Sequence, residues 1–365
     1  MLVYVLTGLV VFLSLRNYEN LSSETLTHKR VYVKNLYKYI AIIVVTLVFG
    51  LRDYSVGTDT KNYLNIYNWL GSDMTWSRLI YEKGFCILSV LVNKVFDSFT
   101  VLLLISGFIL YWNIISSICE ISKTPSISML CYFGLGAFAQ SCNLLRQYLA
   151  LSFCLVALRY LLKNNRKLPF VLFILIGFLF HKSAVVFLIV LPLKYIKFNL
   201  KTIFAFVVCS VCVIVSLPYL LKVFDSILGT HYYGYIRFKS NPFTFTNMGT
   251  LAVLLFALYL IFRHKKSVER YTEDIKEYDF FANMFMLFSS IFVISLFSVE
   301  LVDRIAIYFM PSVFFLIPIV LKSYKTYLSR LFVNLLFITF LALIFFLLVV
   351  RGSYEVLPYN FVNFI

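Results

Sequence analysis

Charged residues are scarce in this 365-residue chain. Asp, Glu, Lys and Arg make up 14% of it and hydrophobic residues 61%, whereas a soluble globular domain is about a quarter charged. Apolar runs long enough to cross a bilayer recur along the whole length, which excludes an ordinary soluble domain. The ten-residue alternation of barrel strands is missing too. Since backbone in lipid must satisfy its own hydrogen bonds, the sequence predicts an all-α polytopic integral membrane protein.

The motifs of soluble enzymes are also missing. The chain has no P-loop, dinucleotide fingerprint, zinc-protease helix or nucleophile elbow. Seven cysteines, an odd number, lie mostly in apolar segments, and the Cys209-x-x-Cys212 pair has no second Cys/His pair. We therefore predict neither a metal nor a cofactor. The net charge of +16 is explained by basic cytoplasmic loops, so no nucleic-acid partner is predicted.

Twelve spans with both termini outside place Lys and Arg preferentially on the cytoplasmic side. The N-terminal apolar stretch lacks a basic n-region and a cleavage site, so we interpret it as a retained helix. Residues 1–365 are predicted to form a single transmembrane domain. The predicted spans are 1–15, 36–51, 99–118, 126–141, 146–162, 168–181, 183–197, 201–221, 247–262, 280–298, 304–321 and 331–350.

The segment 52–98 is predicted to be an outer-face loop with a small helical cap. Residues 60–70 carry Tyr63, Ile66, Tyr67 and Leu70 at the spacing of an amphipathic helix. The apolar stretch 84–96 is too short to span, so it is interpreted as an interfacial or re-entrant helix.

Two later apolar stretches, 123–163 and 167–194, are basic at both ends and polar in the middle. This pattern is typical of hairpins that return to the cytoplasm. The polar centres, around Arg146 and around His181-Lys182-Ser183, would then face outward. Irregular polar backbone at membrane depth is tolerated only inside protein or beside a water-filled cavity.

Ionisable residues at the predicted outer ends of the spans are the candidate functional residues. Arginine dominates, and several arginines over an apolar groove fit a lipid with a diphosphate head, since the guanidinium fork suits diphosphate as well as carboxylate. The set is Arg52, Asp53, Asp59, Arg78, Arg146, His181, Arg237, Asp303, Arg304 and Arg351.

Each candidate has a purely structural alternative. Arginines at span ends, such as Arg146, Arg237 and Arg351, can simply snorkel to the interface. Asp59 can cap the helix that follows it, and Asp303–Arg304 can be a local ion pair. His181 can be a hydrogen-bonded residue of a hairpin.

Five short motifs resemble one family of bacterial membrane proteins. The first, Gly50-Leu51-Arg52-x4-Gly57-Thr58-Asp59-Thr60-x2-Tyr63, resembles the opening signature of the EpsG family, whose members are Wzy-like polysaccharide polymerases. The others are short and gain weight as an ordered series: Glu82-x-Gly84-Phe85, Arg146-Gln147-x-Leu149-Ala150, Phe180-His181-x-Ser183-Ala184 and Asp303-Arg304-x3-Tyr308. Lys83 departs from the proline expected before Gly84.

The resemblance implies a GT-C-like glycosyltransferase of about twelve helices in the bacterial cytoplasmic membrane, active on its outer face. It would transfer a growing glycan from undecaprenyl diphosphate onto a lipid-linked repeat unit of O-antigen, capsule or exopolysaccharide. Donor and acceptor would both be undecaprenyl-diphosphate-linked oligosaccharides, and the other partners would be membrane lipid, a chain-length regulator and a flippase. No nucleotide sugar, cofactor or metal is needed.

The resemblance also suggests roles for individual residues. Asp59 or His181 would act as the base, and Arg146 and Arg304 would stabilise the departing diphosphate. The substrate-binding residues would be Arg52, Asp53, Arg78, Gln147, Arg237, Asp303 and Tyr308.

Two other functions fit a membrane protein of this size. A lipid-linked oligosaccharide flippase would carry charges deep in several spans and a repeat between its halves. A membrane O-acyltransferase would need a histidine-based acyl site, for which His181 alone is thin support. The charges of this chain lie at span ends, which favours the polymerase.

Overall fold

In a computed structural model the chain is all-helical, with 84% of it in helices and no strand among the described residues. The structure describes residues 1–22, 28–72, 81–228, 245–271, 274–297, 300–324, 326–350, 352 and 354–362. These residues form two compact units, Met1–Val185 with Leu331–Ile365, and Val186–Arg330. The predicted helical fold is therefore confirmed, while the single domain remains a prediction.

The first unit contains the N-terminal helices and the last helix of the chain. These helices are α1 Leu2–Ser22, α2 His28–Gly50, α3 Thr60–Ser72, α4 Lys83–Phe96, α5 Phe99–Ile121, α6 Pro125–Gly134, α7 Ala137–Asn143, α8 Leu145–Lys163, α9 Lys167–Phe180 and α16 Tyr327–Val350. The helices α1 and α2 pack on each other, α2 and α8 pack on α5, and α8 pairs closely with α9.

The second unit contains the helices α10 Val190–Leu193, α11 Leu200–Leu228, α12 Phe245–Tyr271, α13 Ile275–Phe297, α14 Glu300–Ala306 and α15 Pro311–Lys322. Among them α13 is central, since it contacts α10, α11, α12, α14 and α15. A 3₁₀ segment, Lys182–Ile189, directly precedes α10.

Among the described residues, six helices are long and apolar enough to cross a membrane. Four shorter apolar helices accompany them, so the twelve-span topology remains a prediction. The six are Leu2–Leu21, Arg30–Gly50, Phe99–Ile121, Leu145–Lys163, Ile275–Leu296 and Leu328–Leu348, and the shorter ones are Lys167–Phe180, Lys182–Leu193, Leu200–Ser216 and Pro311–Lys322.

Three predicted spans are not continuous α-helices. The span 126–141 is divided between α6 and α7, because Gly136 adopts a left-handed conformation with φ +75° that other residues rarely take. The span 304–321 is divided by turns before Pro311, which opens α15 at a position where the missing N–H of proline costs nothing. The span 183–197 begins as a 3₁₀ helix.

The two helices predicted for the segment 52–98 are present. In α3, Tyr63, Tyr67 and Leu70 are buried, as the amphipathic stripe predicts. Leu70 joins Cys86 of α4 in a small apolar cluster, which packs the two helices together. The position of this pair on the outer face of the membrane remains a prediction.

The C-terminal tail after α16 binds the turn that follows α2. The backbone N–H of Asp53 donates to the carbonyl of Asn360 at 2.9 Å, and that of Val362 donates to the carbonyl of Leu51 at 2.9 Å. The Tyr359 hydroxyl donates to the carbonyl of Val48 at 2.6 Å. The tail therefore satisfies polar groups where a long apolar helix ends.

Replacing Tyr359 by Phe should destabilise the first unit by about 1 kcal/mol, the usual net value of one hydrogen bond. Its ring contacts with Tyr4 and Phe361 would remain, so the loss would isolate the bond to Val48. The measurement is reversible unfolding in detergent with increasing dodecyl sulfate. The control is Tyr54→Phe, at a side chain that is 51% exposed, which should change little. Equal stability of the two variants would contradict the role of the tail.

Candidate functional site

Arg52 of the opening motif is enclosed by protein. It is 1% exposed, and its guanidinium donates to the carbonyls of Phe49 and, at 3.3 Å, Cys142. The guanidinium also lies 4.0 Å from the centre of the Phe49 ring. These contacts join the end of α2 to α7 and leave no open side, so Arg52 positions helices in this structure. Its predicted contact with a diphosphate is not tested.

The turn after Arg52 is shaped by its own side chains. The Asp53 carboxylate accepts the Ser55 backbone N–H at 2.9 Å, which folds the chain back on itself. Gly57 has φ +96°, and a side chain there would also collide with Asn143. Asp59 then lies half-exposed immediately before α3.

Arg146 lies in a cluster of aromatic and acidic side chains, which we call the Arg146 cluster: Arg146, Glu82, Tyr63, Tyr81 and Asp59. Arg146 forms an ion pair with Glu82, and the two side chains are 22% and 12% exposed. Its guanidinium lies 5.0 Å from the centre of the Tyr81 ring. The group is partly buried but still open on one side.

The helix termini explain why Arg146 needs a carboxylate. Arg146 is the second residue of α8, where the helix dipole disfavours a positive charge. Glu82 immediately precedes α4, yet its side chain makes no hydrogen bond to the end of that helix and pairs with Arg146 instead. Lys83, where proline was expected, is the first residue of α4, a position that suits proline as well.

Tyr63 of α3 adds a phenol to the cluster. Burial raises the pKa of Tyr63, while the nearby Arg146, which also hydrogen-bonds to the phenol, opposes the rise. The Asp59 carboxylate is close enough to raise this pKa further. At neutral pH the phenol is therefore uncharged, and Arg146 and Glu82 carry the charge of the buried part of the cluster.

His181 directly follows α9 and lies at the same end of the packed α8–α9 pair as Arg146. The backbone of Ala150 in α8 passes Gly177 of α9 so closely that a Cβ on the glycine would lie 2.9 Å from the Ala150 oxygen. The helices run antiparallel, so one turn from Gly177 towards the end of α9 reaches position 181, and one turn from Ala150 towards the start of α8 reaches position 146. These two positions therefore lie at the same level. The Nδ1 atom of His181 hydrogen-bonds with the Ser183 hydroxyl at 2.6 Å.

The start of α4 contacts the same end of α9. A Cβ on Gly84 would lie 2.7 Å from the backbone oxygen of Leu179, so only glycine allows this approach. Glu82, Arg146 and His181 are thus brought to one end of three packed helices. Three motifs that are far apart in the sequence meet there.

The structure also describes four further predicted residues, Gln147, Asp303, Arg304 and Tyr308. Gln147, beside Arg146, is 2% exposed. In the second unit, Asp303 and Arg304 belong to the short helix α14, where Arg304 is exposed. Tyr308 follows it and is fully buried.

Arg78, Arg237 and Arg351 lie outside the described residues, so their predicted roles are untested. The meeting of Arg304 with Arg52 and Arg146 in one cavity also stays a prediction.

Glu82 belongs to one of the five motifs, but the sequence assigned it no role. The local pattern that could have indicated one is a lone carboxylate directly before a short apolar helix, in a segment predicted to lie at the membrane surface. No sequence pattern assigned Arg146 as its partner, because the two are 64 positions apart. Among the described residues there is no group of three or more His, Cys, Asp or Glu that could hold a metal ion.

The model of the EpsG family matches residues 35–361, nearly the whole chain. The matched range includes every motif from Gly50 to Tyr308, and so all residues of the Arg146 cluster. No curated protein and no solved structure gives a significant match.

Gly84→Ala should separate α4 from α9 and destabilise the protein by about 1–3 kcal/mol, the usual cost of overpacking against a structure that cannot yield. The neighbour is backbone, at 2.7 Å from the added Cβ. Gly8→Ala is the matched control, because its Cβ would meet only a Phe133 side-chain atom at 3.8 Å and alanine favours a helix. Melting temperatures of the two variants in detergent give the comparison. A Gly84→Ala protein as stable as Gly8→Ala would refute the close approach.

Proposed function

This chain belongs to the EpsG family of polysaccharide polymerase-like membrane proteins, and we propose that it polymerises a bacterial surface polysaccharide. The product would be an O-antigen, a capsule or an exopolysaccharide. Donor and acceptor would be glycans on undecaprenyl diphosphate, and the reaction would occur at the outer face of the cytoplasmic membrane. A flippase would supply the repeat units there, and a chain-length regulator would act with the enzyme.

The proposed reaction is a glycosyl transfer. A hydroxyl at the non-reducing end of a lipid-linked repeat unit attacks the anomeric carbon of the growing chain. The new C–O bond forms as the bond to the donor diphosphate breaks, so undecaprenyl diphosphate leaves with the electron pair. The acceptor hydroxyl gives its proton to a base. Charge grows on the leaving diphosphate, so preorganised cationic donors lower the barrier.

The partly open Arg146–Glu82 pair is the observation that carries this proposal. Glu82 binds one nitrogen of the guanidinium, and 22% of the Arg146 side chain stays exposed. The exposed part of the guanidinium therefore keeps donors for an anionic ligand while its position is fixed. Arg52, at 1% exposure, is already engaged with the carbonyls of Phe49 and Cys142.

The other roles are assigned around this pair. Asp59 or His181 serves as the base, and both lie near Arg146 in the first unit. Arg304 supplies a second cation to the diphosphate, and Asp303 and Tyr308 support it. Asp53, Gln147, Arg78 and Arg237 contribute to substrate binding. Arg52 acts indirectly, by holding α2 and α7.

Arg146→Ala should slow polymer formation on the order of 10²- to 10³-fold, the size of loss seen when a charge-stabilising donor is removed. Arg146→Lys should remain badly impaired, because lysine offers a point charge where arginine offers a planar fork. The measurement is polymer formed from purified lipid-linked repeat unit, with protein level and melting temperature checked for each variant.

The same two substitutions at Arg166, an exposed residue between α8 and α9, serve as the control and should leave the rate nearly normal. A near-normal rate in Arg146→Lys would instead fit snorkelling, since lysine also snorkels. That result would contradict the proposed contact between Arg146 and the diphosphate.

Deleting the gene should leave lipid-linked single repeat units on the outer leaflet and surface glycan of one unit only. The reason is that repeat units are still made and delivered but are no longer joined. Units trapped on the inner leaflet would indicate a flippase instead. Normal polymer without acyl groups would indicate an O-acyltransferase. The measurement is the size of the surface glycan and the leaflet distribution of the lipid-linked unit.

A further inference from the structure

The second unit contains a cavity that the proposed reaction does not use. It has a volume of about 1270 Å³ and lies between the start of α11, the second half of α12 and the end of α15. We call it the basic cavity and define it by Lys201, Tyr259, Arg263, His264, Lys266 and Tyr324. All of these residues belong to one compact unit.

Three cations of the basic cavity are available to a ligand. Lys201, Arg263 and Lys266 are exposed, and none of them has an ion pair within the described residues. Lys265, in contrast, is engaged: it binds the Asp279 carboxylate at 2.8 Å and the carbonyl of Phe198. The lining also contains the Glu269 carboxylate, 4.0 Å from the Lys265 ammonium, so the cations of the lining outnumber its one carboxylate.

Lys201 is also placed against its helix dipole. It is the second residue of α11, and a positive charge in the first turn of a helix is unfavourable. Two reciprocal hydrogen bonds already cap this helix terminus: the Thr202 N–H donates to Asn199 Oδ1 at 3.1 Å, and the Asn199 N–H donates to Thr202 Oγ1 at 2.9 Å. An anion between Lys201 and the cations of α12 would relieve this repulsion.

The wall of the cavity is held in place by hydrogen bonds. His264 Nε2 and the Tyr324 hydroxyl lie 2.9 Å apart, and the Ser267 hydroxyl donates to the Ser323 carbonyl at 3.1 Å, so two bonds fix α12 to the end of α15. Burial, and then the neighbouring Arg263, lowers the pKa of His264. This shift favours the neutral imidazole, which leaves the exposed cations as the charged groups.

Apolar surface adjoins the cations. Tyr259 is 55% exposed, Phe262 39% and Leu200 66%, next to Arg263 and Lys201. Exposed aromatic and aliphatic groups beside cations are typical of the membrane–water interface. The three chain segments that contribute to the cavity lie at the predicted cytoplasmic ends of spans: 198–201, 259–269 and 323–324.

We propose that the basic cavity binds a phosphate-bearing anion at the predicted cytoplasmic surface of the membrane. Arginine and lysine both bind phosphate, arginine through two parallel hydrogen bonds. The phosphate can belong to the head of an anionic membrane lipid or to a soluble diphosphate. This site is independent of the proposed polymerisation, which is assigned to the outer face.

The test uses full-length protein in a neutral detergent and two probes. Native mass spectrometry measures retention of dioleoylphosphatidylglycerol against dioleoylphosphatidylcholine, and calorimetric titration measures binding of inorganic pyrophosphate. Preferential retention of phosphatidylglycerol identifies a lipid, whereas binding of pyrophosphate without that preference identifies a soluble source. If neither probe binds, the proposal is overturned.

The decisive comparison is between two double variants that lose the same charge. R263Q/K266Q should weaken binding roughly tenfold to thirtyfold, since each cation near a membrane surface contributes on the order of 1 kcal/mol. The control R166Q/K94Q removes one exposed arginine and one exposed lysine outside the cavity and should change binding less than about twofold. Equal weakening in both would show diffuse surface attraction and overturn the site.

A third variant distinguishes a loss of binding from a loss of folding. Lys201→Gln removes a cation from a different helix at an exposed position, so it should also weaken binding severalfold with an unchanged melting temperature. Unweakened binding by a Lys201→Gln protein of normal stability would refute the cavity as the binding site.

Discussion

The end of α2 imposes the constraint on which the first unit depends. An apolar helix that stops leaves carbonyl groups without intrahelical partners, and in an apolar surrounding each unmet group is costly. Arg52 takes the carbonyl of Phe49 and, from α7, that of Cys142, while Tyr359 of the tail takes the carbonyl of Val48. One helix end thus fixes two distant parts of the chain, and the neighbouring turn lies against Asn143 of α7 at Gly57.

Arg52 and Arg146 gave the same signal in the sequence but occupy different environments. Both follow or open an apolar helix at a predicted outer end. Arg52 is closed in by backbone carbonyls at 1% exposure, so its charge organises the fold. Arg146 faces a carboxylate and two tyrosines with 22% of its side chain exposed, so its charge is both fixed and accessible. The sequence alone does not distinguish the two arginines, because they differ in the groups that packing places around each guanidinium.

Local patterns predicted the elements that depend on local physics. The amphipathic stripe of α3, the short apolar α4 and most of the long helices follow from periodicity and length. The breaks near Gly136 and before Pro311 were missed because a single glycine or proline is compatible with a continuous span. The pairing of the C-terminal tail with residues 51–57 and the Arg146–Glu82 ion pair were missed because they join distant positions. The order of the motifs identified the family, but only packing shows which motifs meet.

The Arg146–Glu82 pair also explains how a cation can be kept ready beside a membrane. An unpaired buried charge costs several kcal/mol, and the start of α8 adds an unfavourable dipole. Glu82 offsets both terms and fixes the guanidinium before any ligand arrives. In the proposed reaction, an incoming diphosphate would meet donors that need no reorganisation, the condition under which electrostatic stabilisation of a leaving group is largest. The carboxylate that neutralises the site before a ligand binds would therefore also be what allows the arginine to stabilise the leaving group in the proposed reaction.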